Sequence, residues 1–541
     1  MDSPIVTQLF RQLFRHRGCN SQRNLVALSS CIQHGRRVQQ QKRSMAMRHT
    51  TRGAKPSQRT NESDWQQRTE LFSHDMTEEY KAFPTVTANE LRTRTERPRR
   101  VKMLMRDFVE GWFPLCSPLF LPRMHLPVHA GGFEQRANAA DDADSLYNPH
   151  YGYFSKQAVI FTPGKPFDFP ALRDEPEFYA ELGQRYTEFE DELDSKLPAP
   201  NDTRQLWHTP TEMFRPYYGE AIARYLMSNY IMTSYPYHDL IIYEMGAGRG
   251  TLMMNILDYI RSVEPSVYDR VKYKIIEISP ALATIQNSQL LATAASRGHS
   301  DKVEIINRSV FDWEERVPSP CFFIALEVFD NFAHDVIRYD LNTEEPMQGM
   351  VLITENNDFY EFYEPVLDPL AARFLRVRHA ATGGRYPVPY SNSKLIRKLK
   401  QQIPFAPNLS DPEYIPTRCM QFFDILEKYF PAHRLVTSDF HTLPDAIKGL
   451  NSPVVQTRYE RRMVPVSTPL VHQGYFDILF PTDFRIIEAM YGVITGKLTR
   501  VFSHEDFMRS WAYVEDTEVQ SGENPLLSWY KNASVMVTVS N

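Results

Sequence analysis

The sequence has no apolar run of the length that a membrane-spanning helix requires, about 20 residues. Its most apolar region extends from Phe113 to Val128 and contains four prolines. Because proline removes a backbone donor and breaks helical hydrogen bonding, we do not expect a membrane-spanning protein.

Cysteine is also scarce, with five residues in a chain of 541. No two of them stand in a CxxC or zinc-knuckle spacing, so neither a disulfide framework nor a structural zinc site is expected. A reducing compartment is the simpler interpretation, and we predict no metal site. The five are Cys19, Cys31, Cys116, Cys321 and Cys419.

Acidic residues are nearly absent from the first 53 residues, where Asp2 opposes Lys42 and nine arginines. This segment has a net charge of +9, which leaves −14 on the rest of the chain. Arginine-rich, acid-poor N-termini are typical of transit peptides, so residues 1–50 predict import into the mitochondrial matrix. The alternative is a basic tail that binds nucleic acid. The acidic remainder argues against a nucleic-acid partner, because phosphate contacts need surplus lysine and arginine.

Glycine is outnumbered by proline, 22 residues against 38, which indicates many stiff connecting segments. The apolar fraction of 42% and the charged fraction of 23% are ordinary for globular proteins, so a largely disordered chain is excluded. The polar segment 51–100 is predicted to be a linker. Prolines and acidic residues interrupt the ordered pattern at 114–147 and 160–206, which are interpreted as insertions.

Apolar strands and an amphipathic helix alternate through the centre of the chain. Strands are predicted at 240–245, 273–278, 303–306 and 321–325, and a helix at 251–263 has apolar residues at helical spacing. Strands separated by helices indicate a parallel sheet with helices on both faces. Right-handed crossovers then bring the carboxyl ends of the strands to one edge, where ligands bind.

Elements are also predicted outside this centre. Residues 103–109 have the spacing of a short amphipathic helix, and 359–363 alternates as a hairpin strand. Residues 435–440 and 475–480 are predicted as late strands of the same sheet.

The first central strand ends in a glycine-rich turn, Glu244-Met-Gly246-Ala-Gly248-Arg-Gly250. Glycine permits a tight turn and a close approach between backbone and ligand. The helix that follows aims unpaired N–H groups at the same place. The spacing is GxGxG, which differs from the GxGxxG of dinucleotide-binding proteins.

Acidic residues near the strand ends indicate which ligand this turn holds. Glu244 is placed to bind an ammonium group, Glu277 to accept hydrogen bonds from both ribose hydroxyls, and Asp312 to accept from an adenine amine. S-adenosylmethionine carries all three groups. We therefore predict it as the cofactor, bound by these acids and by the three glycines of the turn.

Several segments together resemble one known family. They are the glycine-rich turn, the segment Ile276-Glu-Ile-Ser-Pro280 with Gln286, the stretch 209–220 and the motif Glu327-Val-Phe-Asp330. Over roughly residues 100 to 330 the chain is similar to the MidA-like (DUF185) family. The mitochondrial member of that family is a protein arginine methyltransferase that assists assembly of respiratory complex I.

The resemblance implies an α/β fold built on the Rossmann-like, seven-stranded sheet of S-adenosylmethionine-dependent methyltransferases, with an N-terminal helical element and insertions. It divides the ordered chain into a substrate-side region at 101–235 and a methyltransferase core with C-terminal elaborations at 236–541.

Carboxylates are expected at the acceptor end of the site, because they grip a guanidinium bidentately. Glu327 and Asp330 leave the fourth central strand at the ligand edge, and Glu212 is a third candidate; we predict a catalytic role for all three. The alternatives are a helix cap at Asp330 and a pairing of Glu327 with a structural arginine such as Arg338. His334 is a candidate base, although a surface position is favoured.

The predicted function is a mitochondrial S-adenosylmethionine-dependent protein arginine methyltransferase that acts on a respiratory complex I subunit. The expected partner is a protein substrate, and a homodimer is compatible with this interpretation. One alternative is a catalytically inactive assembly factor, suggested by Leu326 where the family has Asn. The other is a methyltransferase with an RNA or small-molecule acceptor; the acidic remainder disfavours RNA, and the absence of an Asn-Pro-Pro-Tyr-type motif disfavours methylation of a base amine.

Overall fold

The computed structural model describes residues 101–110, 153, 158–278, 283–284, 286–353, 359–390, 408–471 and 474–539. All of them belong to one unit that runs from Ser63 to Asn541. The predicted transit peptide 1–50, linker 51–100 and insertion 114–147 lie outside the described residues. The predicted boundary near residue 235, between the substrate-side region and the methyltransferase core, stays a prediction.

The strands are numbered in chain order. They are β1 Val101–Leu104, β2 Ala158–Ile160, β3 Gln205–Trp207, β4 Leu240–Met245, β5 Val271–Glu277, β6 Val303–Asn307, β7 Cys321–Leu326, β8 Asp335–Tyr339, β9 Pro346–Ile353, β10 Phe359–Glu364, β11 Glu413–Ile415, β12 His433–Phe440, β13 Val454–Tyr459, β14 Arg462–Val466, β15 Asp477–Leu479, β16 Thr499–Ser503 and β17 Ala533–Thr538.

The α-helices follow the same convention. They are α1 Met105–Glu110, α2 Glu175–Asp194, α3 Pro210–Met213, α4 Tyr217–Thr233, α5 Thr251–Val263, α6 Pro265–Tyr268, α7 Leu291–Ser296, α8 Pro369–Thr382, α9 Thr417–Tyr429, α10 Phe484–Thr495, α11 His504–Trp511 and α12 Pro525–Ser528.

A seven-stranded sheet in the order β16-β17-β12-β7-β4-β5-β6 forms the centre of the fold. The five strands from β12 to β6 are parallel, and β17 runs antiparallel to both of its neighbours. The α/β fold with a seven-stranded sheet is therefore confirmed. The parallel arrangement predicted for the central strands is confirmed for β4 to β7. The strand β17 was not predicted from the sequence, and its apolar pattern carries no information on direction.

The four central strands and the helix between the first two occur where the sequence predicts them. The helix α5 begins at Thr251, directly after Gly250, whose φ of +75° ends the preceding turn. The apolar face of α5 is buried, and the carboxyl ends of β4, β5 and β7 lie side by side at one edge of the sheet. That edge is where the polar loops of the site converge.

A second sheet, in the order β1-β9-β8-β11 with β10 also on β9, is antiparallel. The predicted hairpin strand is β10, and its turn at 354–358 lies outside the described residues. The predicted helix at 103–109 is wrong in its first half. Residues up to Leu104 pair with β9, and the helix α1 begins at Met105. Pairing with a distant strand overrides local periodicity in this segment.

A third sheet, β14-β13-β15, covers the ligand edge from the side. The segment 475–480 was expected in the central sheet, and this expectation is wrong because β15 pairs with β13. The main-chain N–H of Phe480 donates to the carbonyl of Asp330 at 2.7 Å. This bond ties the third sheet to the loop that follows β7.

The range 160–206 contains α2 and packs against the rest of the fold. Phe169 stacks on Phe214 with ring centroids 5.8 Å apart, and Phe178 contacts Trp529 edge to face at 5.8 Å. Whether this range is an insertion stays a prediction, because packing does not reveal what relatives lack. Among the described residues, no helix combines the length and apolarity that crossing a membrane requires.

Candidate functional site

A cavity of about 1150 Å³ opens at the carboxyl ends of the parallel strands. Its walls include the glycine-rich turn after β4, the end of β5, the turn 309–311 after β6 and the loop after β7. The predicted site residues Gly246, Gly248, Gly250 and Glu277 line it. Parallel strands place their carboxyl ends together, so loops that are far apart in sequence meet in one space.

The glycine-rich turn presents bare backbone to this cavity. Gly246, Gly248 and Gly250 all have positive φ, at +71°, +51° and +75°. A Cβ on Gly248 would stand 3.0 Å from Cδ1 of Ile160, and one on Gly250 would overlap Leu290. Positive φ and close neighbours together demand glycine at these positions.

Glu277 and Gln286 form the wall next to the turn. The Nε2 of Gln286 donates to the carbonyl of Gly248 at 3.0 Å and to Oε2 of Glu277 at 3.1 Å. Its Oε1 is buried without a hydrogen-bond partner among the described residues. Gln286 therefore holds the Glu277 carboxylate in position and offers one further acceptor. Sequence reasoning noted Gln286 but gave it no role in the site.

Glu244 lies behind the glycine-rich turn. It lines a second cavity of about 60 Å³ and is not among the residues that line the large one. The hydroxyl of Tyr273 donates to its Oε2 at 2.7 Å, and burial raises the pKa of Glu244 to about 7. A cavity of that size has room for water, so Glu244 is placed to act on a ligand through water.

The adenine-binding role predicted for Asp312 is not supported by its position. Asp312 is exposed and is not among the residues that line the large cavity, whereas Ser309, Val310 and Phe311 are. The residues 310–312 form a single 3-10 turn capped by Ser309. The turn directs Phe311 to the cavity, so this part of the wall is more apolar than the sequence suggested.

Glu212 is buried between α3 and α5. Its Oε1 accepts a hydrogen bond from Oγ1 of Thr251 at 2.5 Å, and its Oε2 pairs with Arg215 at 3.3 Å. It lines the small cavity next to Glu244. Because both oxygens have partners within the protein, Glu212 fits an anchoring role better than the predicted contact with an acceptor.

Glu327 and Asp330 flank the loop that follows β7. Glu327 has φ of +53°, a strained value for a residue with a side chain, and its N–H donates to the carbonyl of Ser438 at 2.8 Å. The 3-10 turn Phe329–Asn331 then brings Asp330 to the same cavity wall. The helical turn that the i, i+3 spacing required is present.

Burial dominates the electrostatics of this pair. It raises the pKa of Glu327 to about 8, with a smaller contribution from Asp439. Burial also raises the pKa of Asp330 well above its usual value, and Asp439, Asp477 and Glu327 add to the shift. Each acid therefore binds a proton or a cation more readily than an exposed carboxyl does.

Asp439 and Asp477 are the acids that sequence reasoning did not assign to the site. Asp439, at the end of β12, accepts from the N–H groups of Phe329 at 2.8 Å and Asp330 at 3.2 Å, which supports the 3-10 turn. Asp477, at the start of β15, lines the large cavity directly. Burial raises the pKa of both to about 7. Asp439 lies near the carboxyl end of a strand at the ligand edge, and that position is the signal by which the sequence could have indicated it.

His334 and Arg338 lie close in sequence to the loop that follows β7, and the sequence predicts possible roles for both. His334 is buried, stacks on Phe480 with ring centroids 3.9 Å apart, and burial lowers its pKa to about 3. It is neither the surface histidine that was favoured nor suited to act as a base at neutral pH. Arg338 lies over the ring of Tyr363 and contacts Ser410, so the proposed ion pair between Glu327 and Arg338 is wrong.

This chain matches a known protein family and is similar in sequence to two curated yeast proteins. Residues 221–502 match a family described as "Putative S-adenosyl-L-methionine-dependent methyltransferase". A protein named mitochondrial protein arginine methyltransferase NDUFAF7 homolog, from Schizosaccharomyces pombe, is 24% identical over 376 residues, which cover 68% of this chain and 78% of that protein. A Saccharomyces cerevisiae protein of the same name is 20% identical over 357 residues, covering 60% and 78%.

A solved structure is also similar to this chain. It is a methyltransferase-type protein from Burkholderia thailandensis with bound S-adenosyl-homocysteine, at 15% identity and a TM-score of 0.45, covering 73% of this chain and 85% of that one.

The residues of the large cavity fit S-adenosylmethionine as the family's cofactor. The turn at Gly248 leaves space that a Cβ would enter, and Oε1 of Gln286 is a buried acceptor without a partner among the described residues. The carboxylate of Glu277 stands at the end of β5, where a ribose is bound in nucleotide-binding sheets. The cavity volume also suits a ligand of this size.

Proposed function

Since the chain belongs to the S-adenosyl-L-methionine-dependent methyltransferase family, we propose that it methylates arginine in a protein substrate, and that it does so in the mitochondrial matrix on a respiratory complex I subunit. The methyl donor follows from the family. The arginine acceptor and the mitochondrial site are supported by the names of the two yeast relatives. The complex I subunit rests on the resemblance to the MidA-like family.

One observation carries the choice of an arginine acceptor. Buried carboxyl groups gather where the ends of β7, β12 and β15 meet, beside the glycine-rich turn on β4. A buried carboxylate requires a cation or a proton as its partner. Such a wall favours a cationic acceptor over a neutral hydroxyl or an anionic one. Asp330 and Asp477 are buried on this wall, Asp439 is buried next to Asp330, and Glu327 is half-buried on the wall.

The donor end of the cavity is built for binding. When bound, S-adenosylmethionine supplies an electrophilic methyl group on a sulfonium. The backbone at Gly248 permits a close approach, Glu277 is placed to accept from ribose hydroxyls, and Gln286 keeps that carboxylate in position. Methyl transfer needs little more than alignment and exclusion of water, so positioning accounts for much of the catalysis.

At the acceptor end of the cavity, carboxyl groups bind the positive charge of the substrate and accept its proton. An incoming guanidinium lowers the pKa of Glu327 and Asp330, because an opposite charge favours the ionised carboxyl. The two carboxylates then accept hydrogen bonds from the guanidinium and fix the orientation of one nitrogen. The nitrogen loses a proton as it becomes methylated, and the ionised carboxylate of Glu327, whose pKa is raised when no cation is bound, is suited to accept it.

A direct test identifies the acceptor. The full chain is incubated with isotopically labelled S-adenosylmethionine and a mitochondrial extract, and labelled peptides are sequenced by mass spectrometry. We expect label on arginine of a complex I subunit. Label on another residue type would overturn the arginine proposal. Cofactor binding without transfer to any protein would favour an inactive assembly factor.

Localisation is tested separately. Residues 1–50 fused to a fluorescent protein should direct it to mitochondria. The same fusion with Arg11, Arg15 and Arg17 changed to Gln should remain outside, because transit peptides depend on basic residues. Equal import of both fusions would contradict the assignment of residues 1–50.

A further inference from the structure

We propose that Asp477 is a substrate-binding residue that holds the acceptor guanidinium together with Asp330. The proposal rests on the proposed arginine methyltransferase function and adds a residue that the central sheet does not supply. Asp477 comes from the third sheet, so the acceptor pocket would be assembled from two separate sheets.

The main chain fixes Asp477 beside Asp330. In β15, Asp477 pairs with Gln456 and Ile478 pairs with Val455, which sets the direction of the side chain. Three residues later, the N–H of Phe480 donates to the carbonyl of Asp330 at 2.7 Å. Both carboxyl groups line the same cavity. Their proximity follows from ordered backbone and does not depend on a long, mobile side chain.

Both carboxyl groups have an unsatisfied oxygen. Asp477 is 1% exposed and Asp330 is 2% exposed, and Oδ1 of each has no hydrogen-bond partner among the described residues. Neither forms an ion pair with another described residue. A buried polar atom without a partner carries a large desolvation cost, so these atoms are expected to be satisfied by a ligand.

The side-chain amide of Asn331, on the same cavity wall, also indicates that a ligand binds here. Asn331 is 9% exposed, lines the cavity, and its Nδ2 has no partner among the described residues. The N–H₂ group of an amide donates hydrogen bonds, as a guanidinium does, so the two cannot bond to each other. A peptide carbonyl can accept a hydrogen bond from this N–H₂ group. A donor next to two acceptors matches an arginine within a polypeptide, which offers both a cation and backbone carbonyl groups.

The protein itself offers no cation to this acid pair within the part of the chain that the structure describes. Arg458 belongs to β13, the neighbour of β15, but its two terminal nitrogens bind Glu190 at 2.6 and 2.8 Å. The groups facing the pair are acidic or phenolic: Glu327 and Asp439 beside Asp330, and Tyr153 beside Asp477. We therefore expect the compensating charge to come from a bound substrate.

A guanidinium satisfies such a pair better than an ammonium. Its five N–H donors lie in one plane and can face two carboxylates at once, whereas lysine offers a compact charge with three donors. Two acids on one wall would thus select arginine and would hold the non-reacting nitrogens, leaving one nitrogen to face the methyl donor. Asp477 would contribute to both affinity and orientation.

The test measures binding without requiring methyl transfer. The full chain saturated with S-adenosyl-homocysteine is titrated by calorimetry with acetyl-Gly-Arg-Gly-amide and with its citrulline counterpart, which is neutral and of nearly the same shape. We expect Asp477→Asn to weaken binding of the arginine peptide roughly tenfold or more, since a charge-assisted hydrogen bond is lost. Binding of the citrulline peptide should be weak to both proteins.

Asp483→Asn is the matched control. Asp483 lies six residues further on, caps α10 through the N–H of Arg485, and is not among the residues that line the cavity. It should leave peptide binding unchanged. Asp477→Glu keeps the charge and should recover part of the affinity. Unchanged arginine-peptide affinity in Asp477→Asn would overturn the proposal.

Stability separates a binding role from a structural one. Removing an unpaired buried charge should leave the melting temperature of Asp477→Asn at or above that of the unchanged protein, whereas loss of a structural acid would lower it. A melting temperature lowered by several degrees would overturn the proposal, as would saturable binding of magnesium chloride alone that Asp477→Asn abolishes.

The same titration distinguishes failure of this proposal from failure of the proposed function. If labelled methyl groups appear on arginine but Asp477→Asn binds the peptide normally, the function stands and Asp477 has no acceptor role. If the peptide binds through Asp477 but no arginine is methylated, Asp477 remains a guanidinium ligand and the proposed function fails.

Discussion

At Gly248 the chain turns with φ of +51°, and Cδ1 of Ile160 stands 3.0 Å from the position of a Cβ. Gly248→Val therefore adds a branched side chain to a strained backbone and to the cavity wall. We expect S-adenosylmethionine affinity to fall about a hundredfold or more, as measured by calorimetry, because direct contact with the ligand is blocked.

Gly496→Val is the control for this substitution. Gly496 ends α10 with φ of +67°, and a Cβ there meets nothing within 4 Å. It imposes a similar backbone strain away from the site, so cofactor affinity should be retained. If both variants bind the cofactor alike, the glycine-rich turn does not hold it.

In the proposed mechanism, methyl transfer depends most strongly on the charge of Glu327. Glu327→Gln keeps the shape of the side chain but removes the proton acceptor, so the turnover number should fall by roughly 10² to 10⁴. Cofactor affinity should change little, because Glu327 faces Tyr218 and Tyr530, whose pKa values burial and the Glu327 carboxyl raise. Radiometric methyl transfer and calorimetry on the same protein measure the two effects.

Glu505→Gln provides the comparison for Glu327→Gln. Glu505 is partly exposed on α11, pairs with Arg509 at 2.8 Å, and is not among the residues that line the cavity. Its turnover should match that of the unchanged protein. Equal turnover in both variants would remove Glu327 from the mechanism.

At the scale of elements, a buried ion pair joins α2 to the sheet that carries Asp477. Arg458 of β13 binds Glu190 of α2 through two bonds of 2.6 and 2.8 Å, and both side chains are buried. Arg458→Met leaves the Glu190 carboxylate buried without its main partner. We expect the free energy of unfolding to fall by about 3 kcal/mol, measured by urea denaturation.

Two further variants test whether the stability loss in Arg458→Met comes from the unpaired buried charge. The double variant Glu190→Met, Arg458→Met removes both charges and should recover much of the loss, because apolar residues can replace a buried pair. Lys196→Met breaks the exposed pair with Glu192 and should change the free energy of unfolding very little, because water screens exposed pairs. A loss in Arg458→Met no larger than in Lys196→Met would contradict the role of the buried pair.

At the scale of the whole molecule, the buried acids make stability depend on pH. Burial raises the pKa of Glu327 to about 8 and that of Glu244, Asp439 and Asp477 to about 7. The folded chain therefore retains protons that the unfolded chain has released. Each group's contribution to stability is present below its unfolded pKa near 4 and is lost as the pH rises through its folded pKa.

Glu327→Gln isolates one of these contributions. Well below pH 4 the carboxyl is protonated in both the folded and the unfolded chain, so the melting temperatures of the variant and the unchanged protein should nearly agree. At pH 8.5 the variant should melt a few degrees higher, because the folded form of the unchanged protein must ionise a carboxyl whose surroundings disfavour the charge. Differential scanning calorimetry at both pH values measures this, and a difference independent of pH would show that the pKa of Glu327 is not raised in the folded chain.

Much of the donor site could be predicted from the sequence because it is local. The strand at 240–245, the turn with its three glycines and the helix from Thr251 follow one another along the chain, and each has a short-range pattern. Glu277 could be placed for the same reason, since it ends the next strand. The position of Asp312 could not be predicted, because a 3-10 turn of three residues decides which side chain faces the cavity.

The acceptor site depends on contacts between distant parts of the chain. Glu327 and Asp330 could be predicted as a pair from their spacing, but the contact between Glu212 and Thr251 joins residues 39 apart, and no local pattern specifies it. Asp477 was missed because 475–480 has the pattern of any buried strand, and the pattern does not name the strand with which it pairs.

By itself, the sequence determined the α/β class, the glycine-rich turn and the acidic residues available at the strand ends, because hydrophobic period, glycine spacing and residue chemistry are properties of short segments. The tertiary structure decided which acids are buried, which of them have partners, and that β15 reaches the loop after β7. The burial of Asp330 arises from packing against Asp439 and Phe480, which lie more than a hundred residues further along the chain, and this burial raises the pKa of its carboxyl.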